Sequence, residues 1–438
     1  VKKKFVIVGN SAAGIGALES IRTHDRQSSV TVISDEDYPT YSRCLLSYFL
    51  AGKIAERGLR FRPDDFYKKM GAEIILGQRV ESVEPEKQRI VCQDNTKIDY
   101  DQLLIATGGT PKVPANISTE TDGIFVLRTV ADAMGIQNRI KPRGNAVVLG
   151  GGLVGMKVAF ALNHRGMHVT VVVRSPHVLS QMIDSQAALI VMSRLREYGI
   201  DVLTGSDVTE VQDLNGEVTG VHIDQGSEPS DPQEAPCDVL VVAKGVAPNM
   251  GLAEETPVER NLAIVTNASM QTTCENIYAA GDVAETFDIA TEQSAVNALW
   301  TCAMQQGKIA GLNMAGENRQ YDGSVGMNSI NFPGVDLISF GVIRPQDEEE
   351  YQVLADSRPE MGVYKKLVLK DDRIKGLILV NRIDHAGILL SLLGRKANVA
   401  DLKGELLSDR FNYARVLASG GHEEMLRYWS AGCAVRRK

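Results

Sequence analysis

Phe5-Val-Ile-Val8 running into Gly9-Asn-Ser-Ala-Ala-Gly14, and Ala146-Val-Val-Leu149 running into Gly150-Gly-Gly-Leu-Val-Gly155, decide the fold of this 438-residue chain. Each begins as a short, continuously apolar, β-branched run, the pattern of a parallel strand buried on both faces. Each then turns through glycines into helical spacing, with Ile15, Ala17, Leu18 and Ile21 in one case and Val158, Ala159, Ala161 and Leu162 in the other. A second strand closes each unit, at 30–33 and 169–173. A β–turn–α–β unit opened by glycines at this spacing is the fingerprint of a dinucleotide cradle. The spacing has a physical reason. A pyrophosphate seats on the helix N-terminus, where free N–H groups and the helix dipole favour an anion. The middle position must stay small so that the backbone can approach; it is Ser11 in the first unit and Gly152 in the second.

The duplication extends downstream. Gly77-Gln-Arg-Val80 with Val83 is echoed by Gly205-Ser-Asp-Val208 with Val211, and turns follow at Asn95 and at Asn215-Gly216. Each copy ends in a buried strand that meets a glycine, Asp101-Gln-Leu-Leu-Ile-Ala-Thr-Gly108 and Asp238-Val-Leu-Val-Val-Ala-Lys-Gly245. One glycine motif alone is weak evidence. Two, each with matching second and later strands, are strong, and ordinary tight turns do not account for the repetition.

Composition narrows the function classes. At about 150 residues per domain, the length suggests roughly three domains. Hydrophobic residues at 44% and charged residues at 23% fit a globular protein. With 47 basic against 55 acidic residues, the net charge of −8 argues against nucleic-acid binding. Six cysteines (Cys44, Cys92, Cys237, Cys274, Cys302 and Cys433) are too few for a disulfide scaffold. None falls at C-x-x-C spacing, so no metal site is read from them. No apolar run nears the ~18 residues of a membrane span, and the run after Lys2-Lys3-Lys4 is too short for a signal peptide. The expectation is a cytoplasmic chain without nucleic-acid or membrane partners.

On these motifs the chain resembles the FAD/NAD(P)-dependent pyridine nucleotide-disulfide oxidoreductase superfamily, from Phe5 to about Gly316. The resemblance implies an α/β fold of two Rossmann-like dinucleotide-binding domains, three-layered around parallel sheets, plus a C-terminal α+β domain. Residues 1–112 and 246–318 would form a discontinuous FAD-binding domain, 113–245 an NAD(P)-binding domain, and 319–438 an interface domain. Gly9, Ser11, Ala12, Ala13 and Gly14 would cradle FAD, helped by Val80 and by Ala106-Thr107-Gly108. The returning segment Asn276-Ile-Tyr-Ala-Ala-Gly-Asp-Val-Ala284 would bring Gly281, and Asp282 to hydrogen-bond the ribityl chain. Residues 293–316 would supply a helix beneath the isoalloxazine. The ribose-binding acid, due about 20 residues past the last glycine, is read as Asp35, with Glu36 and Asp37 adjacent.

Gly150, Gly152, Leu153, Val154, Gly155 and Gly245 would hold NAD(P)H. The second strand of this unit ends Val172-Val173-Arg174-Ser175-Pro176-His177, with no carboxylate to repel a 2′-phosphate. Arginine offers phosphate a planar fork. Arg174, with His177, therefore points to NADPH or to dual use. Lys157 stands where the family often carries a glutamate near the nicotinamide; a catalytic cation and a solvent-facing lysine both remain open.

The acceptor is less legible. Glutathione-type disulfide reductases need a C-x-x-x-x-C pair and a catalytic C-terminal histidine. Cys44 has no partner before Cys92, and His422 lacks the following pattern. Cys44 matches in position the single redox cysteine of NADH oxidases, NADH peroxidases and coenzyme A-disulfide reductases. A thiol at a helix start beside Arg43 could be reactive. Its neighbours, Tyr41-Ser42-Arg43 and Leu45-Leu46-Ser47, are more similar to NADH:rubredoxin reductases and assimilatory nitrite reductase flavin domains. Those carry no essential cysteine there, and Arg43 would contact the FAD pyrophosphate. A redox role and a small packed residue both stay open for Cys44.

From about Glu317 the pattern changes to a hairpin, 364–370 and 374–380 about Asp371-Asp372, followed by a helix at 388–394. It resembles the C-terminal domain of the rubredoxin and nitrite reductase relatives. Arg57, Arg60, Arg62, Lys68 and Lys69, with the ending Arg436-Arg437-Lys438, offer basic patches for an acidic carrier. The reading is an FAD-dependent NAD(P)H oxidoreductase, a homodimer by resemblance, exchanging electrons with a small carrier or iron–sulfur protein. Rubredoxin and ferredoxin types are the expected carriers, a carbon monoxide dehydrogenase system being one setting. The alternative is a Cys44-dependent NAD(P)H oxidase, peroxidase or coenzyme A-disulfide reductase. A third reading is a non-catalytic flavin-bound redox sensor.

Overall fold

A computed structural model describes residues 2–226, 233–347, 349–409 and 411. The chain divides into two compact units, the first up to 181 with 191–326, the second 182–190 with 327 onward.

In the first unit, strand Lys4–Val8 is the centre of a five-stranded parallel sheet, with Ser29–Ile33 and Gln102–Ile105 beside it. Glu73–Ile75 and Ile277–Ala279 form its edges. Phe5, Val6 and Ile7 are at most 1% exposed, as expected of a strand covered on both faces. A second parallel sheet repeats the order. Asn145–Leu149 is central, His168–Val173 and Val239–Val242 flank it, and Ile200–Thr204 and Ile124–Phe125 are the edges. Before Gln102–Ile105 in one copy and Val239–Val242 in the other, a three-stranded antiparallel sheet is inserted, Val80–Glu84, Arg89–Cys92 and Lys97–Asp99 in the first. The other has Asp207–Leu214, Glu217–Asp224 and Gln233–Pro236. One edge breaks the symmetry: Ile277–Ala279 returns after the second sheet is finished, whereas Ile124–Phe125 precedes that sheet in the chain.

Three helices position the site: α1 (Ala12–His24), α2 (Leu153–His164) and α3 (Trp300–Met314). Helix α1 buries Ile15, Leu18 and Ile21. Helix α3 crosses it closely, because a Cβ on Gly307 would lie 2.0 Å from the Ala13 carbonyl oxygen. The expected helix over 293–316 is shorter than the sequence pattern suggests. Gln293–Ala295 instead pairs antiparallel with Ala284–Asp288. Buried Asp288 is the reason: its carboxylate accepts the N–H groups of Ala290 and Thr291 at 2.9 Å and the Asn297 amide at 2.7 Å. These bonds hold the chain in a turn after Asp288 and fix the loop that follows the hairpin, so the helix begins only at Trp300.

The second unit is a five-stranded antiparallel sheet in the order Met327–Phe332, Val335–Gly341, Arg373–Val380, Val363–Lys370, Gln352–Arg358. Its central hairpin is the one read from the sequence. Asp371 (φ 50°) and Asp372 (φ 56°) both adopt the left-handed backbone of a two-residue hairpin turn. Helix Ala386–Gly394 buries Leu389, Leu392 and Leu393. Segment 182–190 joins this unit through Asp184, which accepts from the Tyr364 hydroxyl at 2.8 Å and from Lys366 at 2.9 Å. Burial pushes the Asp184 carboxyl up, but Lys366, the Ala187 N–H and Tyr364 outweigh it and hold it below the usual range. The extension 410–438, with His422, Cys433 and Arg436-Arg437-Lys438, lies outside the described residues apart from Phe411.

Breaking a buried ion pair from one side costs roughly 3–5 kcal/mol. Asp184→Asn should therefore lower unfolding free energy by about 3 kcal/mol at neutral pH. A depressed carboxyl stabilises above its unfolded pKa and loses that contribution as pH falls through its folded value. Denaturant titrations should show the gap between wild type and variant closing below pH ~4; a constant gap would refute the assignment.

Candidate functional site

A cavity of about 1040 Å3 opens at the carboxyl ends of the first sheet, where ligands sit in parallel α/β sheets. Strand Lys4–Val8 delivers Gly9, Ser11, Ala12 and Ala13 to its wall. Gly9 has φ 124°, and a Cβ there would meet the Ala106 carbonyl oxygen at 2.1 Å. Only glycine allows the chain to turn at that point. Asp35 and Glu36 come from the end of Ser29–Ile33, Val80 from the start of the antiparallel sheet, and Ala106, Thr107 and Gly108 from the end of Gln102–Ile105. The returning segment adds Gly281 and Asp282. Gly14 lies behind the wall, packed against the Gly9 carbonyl.

Two of the cavity's arginines are paired with acids. Glu36 forms an ion pair with Arg43 and accepts from the Tyr41 hydroxyl at 2.7 Å. Arg43 also donates to the Tyr41 oxygen at 2.9 Å and to the Arg128 carbonyl at 2.6 Å. Burial opposes the Arg43 charge, but Tyr41, Glu36 and Asp282 outweigh it, so its pKa is raised. Asp35 is exposed at the strand end and has no protein partner among the described residues. Of the two acids, Glu36 is the one held by protein partners.

Sequence reading missed Arg128. Its Nη2 is 3.0 Å from Asp282 Oδ2, and it lines the same cavity. It stands just before a helix, Val130–Arg139, opened by a capping box in which Thr129 and Asp132 bond each other's backbone. The Thr129-x-x-Asp132 spacing signals a helix start, but nothing local says that this start abuts the first sheet. Asn249 is a second omission. Its amide donates to the Thr107 carbonyl at 2.9 Å, and its Oδ1 accepts from the Thr110 hydroxyl at 2.7 Å.

In the second cradle, Gly150 has φ 123° and a Cβ on it would meet the Ala243 carbonyl oxygen at 2.3 Å, repeating Gly9. A Cβ on Gly152 would meet nothing within 4 Å. The middle position is therefore open, which is why Ser11 is tolerated at its counterpart. Helix α2 starts with no side-chain cap and no acid in its first turn, leaving its N–H groups for an anion. Arg174 is exposed at the end of His168–Val173, and His177 holds its Nδ1 2.8 Å from the Val178 carbonyl. Gly245 has φ 92° and open space beside it. Gly150, Gly152, Gly155, Arg174, His177 and Gly245 lie outside the large cavity, but Leu153, Val154 and Lys157 of helix α2 reach its wall. Lys157 is half-buried and has no ion pair among the described residues.

Cys44 is an exposed free thiol in the turn Arg43–Leu45, on the cavity wall. It is not a packed residue, because the apolar contacts of this turn are made by Leu46 and Phe49 instead. The basic stretch also differs from expectation. Arg60 pairs with Asp64, Arg62 with Glu19 at 2.7 Å and Lys69 with Asp65 at 2.8 Å. Three of its five cations are thus paired with acids, two local and one, Glu19, from helix α1.

The description of the pyridine nucleotide-disulphide oxidoreductase family matches residues 3–307, and that of the rubredoxin NAD+ reductase C-terminal domain matches 327–397. The assimilatory nitrate reductase electron transfer subunit of Bacillus subtilis is 28% identical over 408 residues, covering 93% of this chain and 51% of that protein. The chain thus spans about half that relative's length. Subunit epsilon of the NADH-dependent phenylglyoxylate dehydrogenase of Aromatoleum evansii is 30% identical over 419 residues, covering 95% of this chain and 97% of the subunit. Putidaredoxin reductase, in its covalent complex with putidaredoxin, superposes with a TM-score of 0.86 at 23% identity, over 96% of this chain and 99% of that one. That last likeness speaks for the fold. The chain belongs to the pyridine nucleotide-disulphide oxidoreductase family, and its cofactors are FAD and NAD(P)H.

The residues present fit FAD. The cavity lies at the upper end of small-molecule site volumes, as a long dinucleotide requires. Buried Asn10 Nδ2 on its wall has no partner among the described residues, while Asn10 Oδ1 accepts from the Tyr67 hydroxyl at 2.5 Å. A donor held in that way suits a polar ligand. No helix among the described residues is long and apolar enough to cross a membrane.

Gly152, the N-cap of helix α2, and Gly155 in its first turn should separate packing from binding. A Cβ on Gly155 would lie 1.9 Å from the Gly150 carbonyl oxygen. Gly155→Ala should lower the melting temperature and abolish nicotinamide binding together. Gly152→Ala should cost less than about 1 kcal/mol of stability yet raise the KM for the nucleotide about tenfold. Thermal melts and steady-state kinetics on both variants check this; equal melting temperatures would refute it.

Proposed function

We propose that this chain passes a hydride between NAD(P)H and FAD and exchanges the electrons with a small electron-carrier or iron–sulfur protein. One observation carries the reading: the wall holding Gly9 to Ala13 also holds Leu153, Val154 and Lys157 from the second cradle. A flavin in one cradle and a nicotinamide in the other would meet there. Bound FAD supplies a ring that accepts a hydride and releases electrons one or two at a time.

The chain's own residues bind, orient and set charge. In this reading 1–112 with 246–318 hold FAD, 113–245 hold the nicotinamide nucleotide, and 319–438 face the partner. The N-terminus of helix α1, with Arg43 and Arg128, neutralises the pyrophosphate. Asp35 takes the adenosine ribose, Val80 lies along the adenine, and Asp282 holds the ribityl chain. Lys157 keeps an unpaired positive charge where negative charge grows during reduction, and a charge there acts more strongly than it would in bulk water. Arg174 offers a 2′-phosphate its fork, so NADPH is the favoured nucleotide.

The carrier is supported by what the relatives are called. One is an electron transfer subunit and one a subunit of an NADH-dependent dehydrogenase. The match of 327–397 to a rubredoxin NAD+ reductase C-terminal domain supports the same class. A second reading rests on Cys44: an exposed thiol on the cavity wall suits a cysteine-dependent oxidase, peroxidase or coenzyme A-disulfide reductase.

Anaerobic mixing with NADPH and with NADH should bleach the yellow protein. Rubredoxin, ferredoxin or a carbon monoxide dehydrogenase-linked iron–sulfur protein should then restore the colour. Cys44→Ser should leave carrier turnover within about twofold, whereas loss of all turnover would favour the second reading. Arg174→Ala should raise the KM for NADPH about tenfold, as expected for losing a charge-assisted phosphate contact, and leave NADH unchanged. Equal effects on both nucleotides would remove the 2′-phosphate assignment.

A further inference from the structure

Gln306 is 1% exposed on helix α3 and does not line the cavity. Its Oε1 accepts the Gly281 N–H at 2.8 Å, and Gly281 is the residue before Asp282. Its Nε2 is only loosely held, 3.4 Å from Thr286 Oγ1 and 3.5 Å from the Tyr321 hydroxyl. The firm bond is the one to Gly281. Gly281 has φ 85° and is wedged, since a Cβ there would stand 3.3 Å from Ala13 Cβ and 3.6 Å from Ala303 Cβ. Both alanines are on the cavity wall.

We infer that Gln306 is a positioning residue for the flavin: its carboxamide fixes the Ala280–Gly281 peptide, which leads directly into Asp282, and so aims the Asp282 carboxylate into the cavity. The inference rests on the reading that this cavity holds FAD, and it deepens that reading. Three elements meet at one side chain. Helix α3 carries it, the returning segment is bound by it, and helix α1 lies against both, because Gly307 brings α3 onto the Ala13 carbonyl. The Gly281 N–H is sealed from water, so only a side chain can satisfy it there, and leaving it unpaired would be costly. Once that peptide is rotated, Asp282 and its 3.0 Å ion pair with Arg128 move as well.

Gln306→Leu keeps the volume and removes the acceptor, while Gln306→Glu keeps an acceptor. Each variant and the wild type would be stripped of flavin and titrated with FAD, with melting temperatures recorded with and without it. Gln306→Leu should weaken FAD binding at least about tenfold, shift the flavin absorption bands and shrink the stabilisation that FAD confers. Gln306→Glu should bind FAD within about threefold of wild type. If the leucine protein does not fold, Gln306→Met is judged by the same criteria. Lower melting temperatures with unchanged FAD affinity and spectrum would overturn the inference, as would equal losses in the leucine and glutamate variants. A wild type that binds no FAD would instead remove the reading beneath it.

Discussion

Everything in the first unit depends on one steric constraint: a buried strand must turn into a helix directly beneath a neighbouring strand's carbonyl. Gly9 makes that turn under Ala106, and Gly150 makes it under Ala243. No side chain fits at either point. The same closeness that excludes a Cβ puts the first N–H groups of helices α1 and α2 at the mouth of each sheet. The anion sites are therefore a by-product of packing. In the proposed function, the copies are distinguished by what differs between them, chiefly the acids Asp35 and Glu36 in one and Arg174 in the other.

Two arginines on the cavity wall are paired with acids of the same wall. Glu36 holds Arg43, and Asp282 holds Arg128. Arg43 and Arg128 are tied further, one donating to the other's carbonyl. A long, flexible side chain restrained in this way loses little additional freedom on binding, which favours affinity. Lys157 is the contrast, a half-buried cation on the same wall with no acid assigned to it among the described residues. In the proposed function the two arginines serve structure and binding together, while the lysine is left for chemistry.

The sheets were legible because buried parallel strands are written as unbroken apolar runs and their turns as glycines, both local signals. Asp35, Thr107 and Asp282 followed, since each sits at the end of such a strand. Arg128, Asn249 and Gln306 were illegible for the opposite reason. They act on residues more than 20 positions away, and their neighbours spell only a helix cap, a loop and a helix. The start of helix α3 was misread because Asp288, a single buried carboxylate, holds the preceding residues in a turn. The basic stretch from Arg57 to Lys69 was overrated because the acids that cancel it include Glu19, distant in sequence. Cys44 could not be assigned to core or surface from spacing alone, since Leu46 and Phe49 compete for the same packing.

The edge strand Ile277–Ala279 has a consequence for biosynthesis. The nested sheet possesses all five of its strands once residue 242 has left the ribosome, whereas the sheet begun at Lys4 must wait for residue 279. Of these two sheets, the one begun first is thus completed second. Until then the flank of Gln102–Ile105 offers unpaired backbone groups, the kind of open border that invites mispairing. A nascent chain of this design is most vulnerable during translation of the nested half, which makes chaperone demand a matter of timing as well as of sequence.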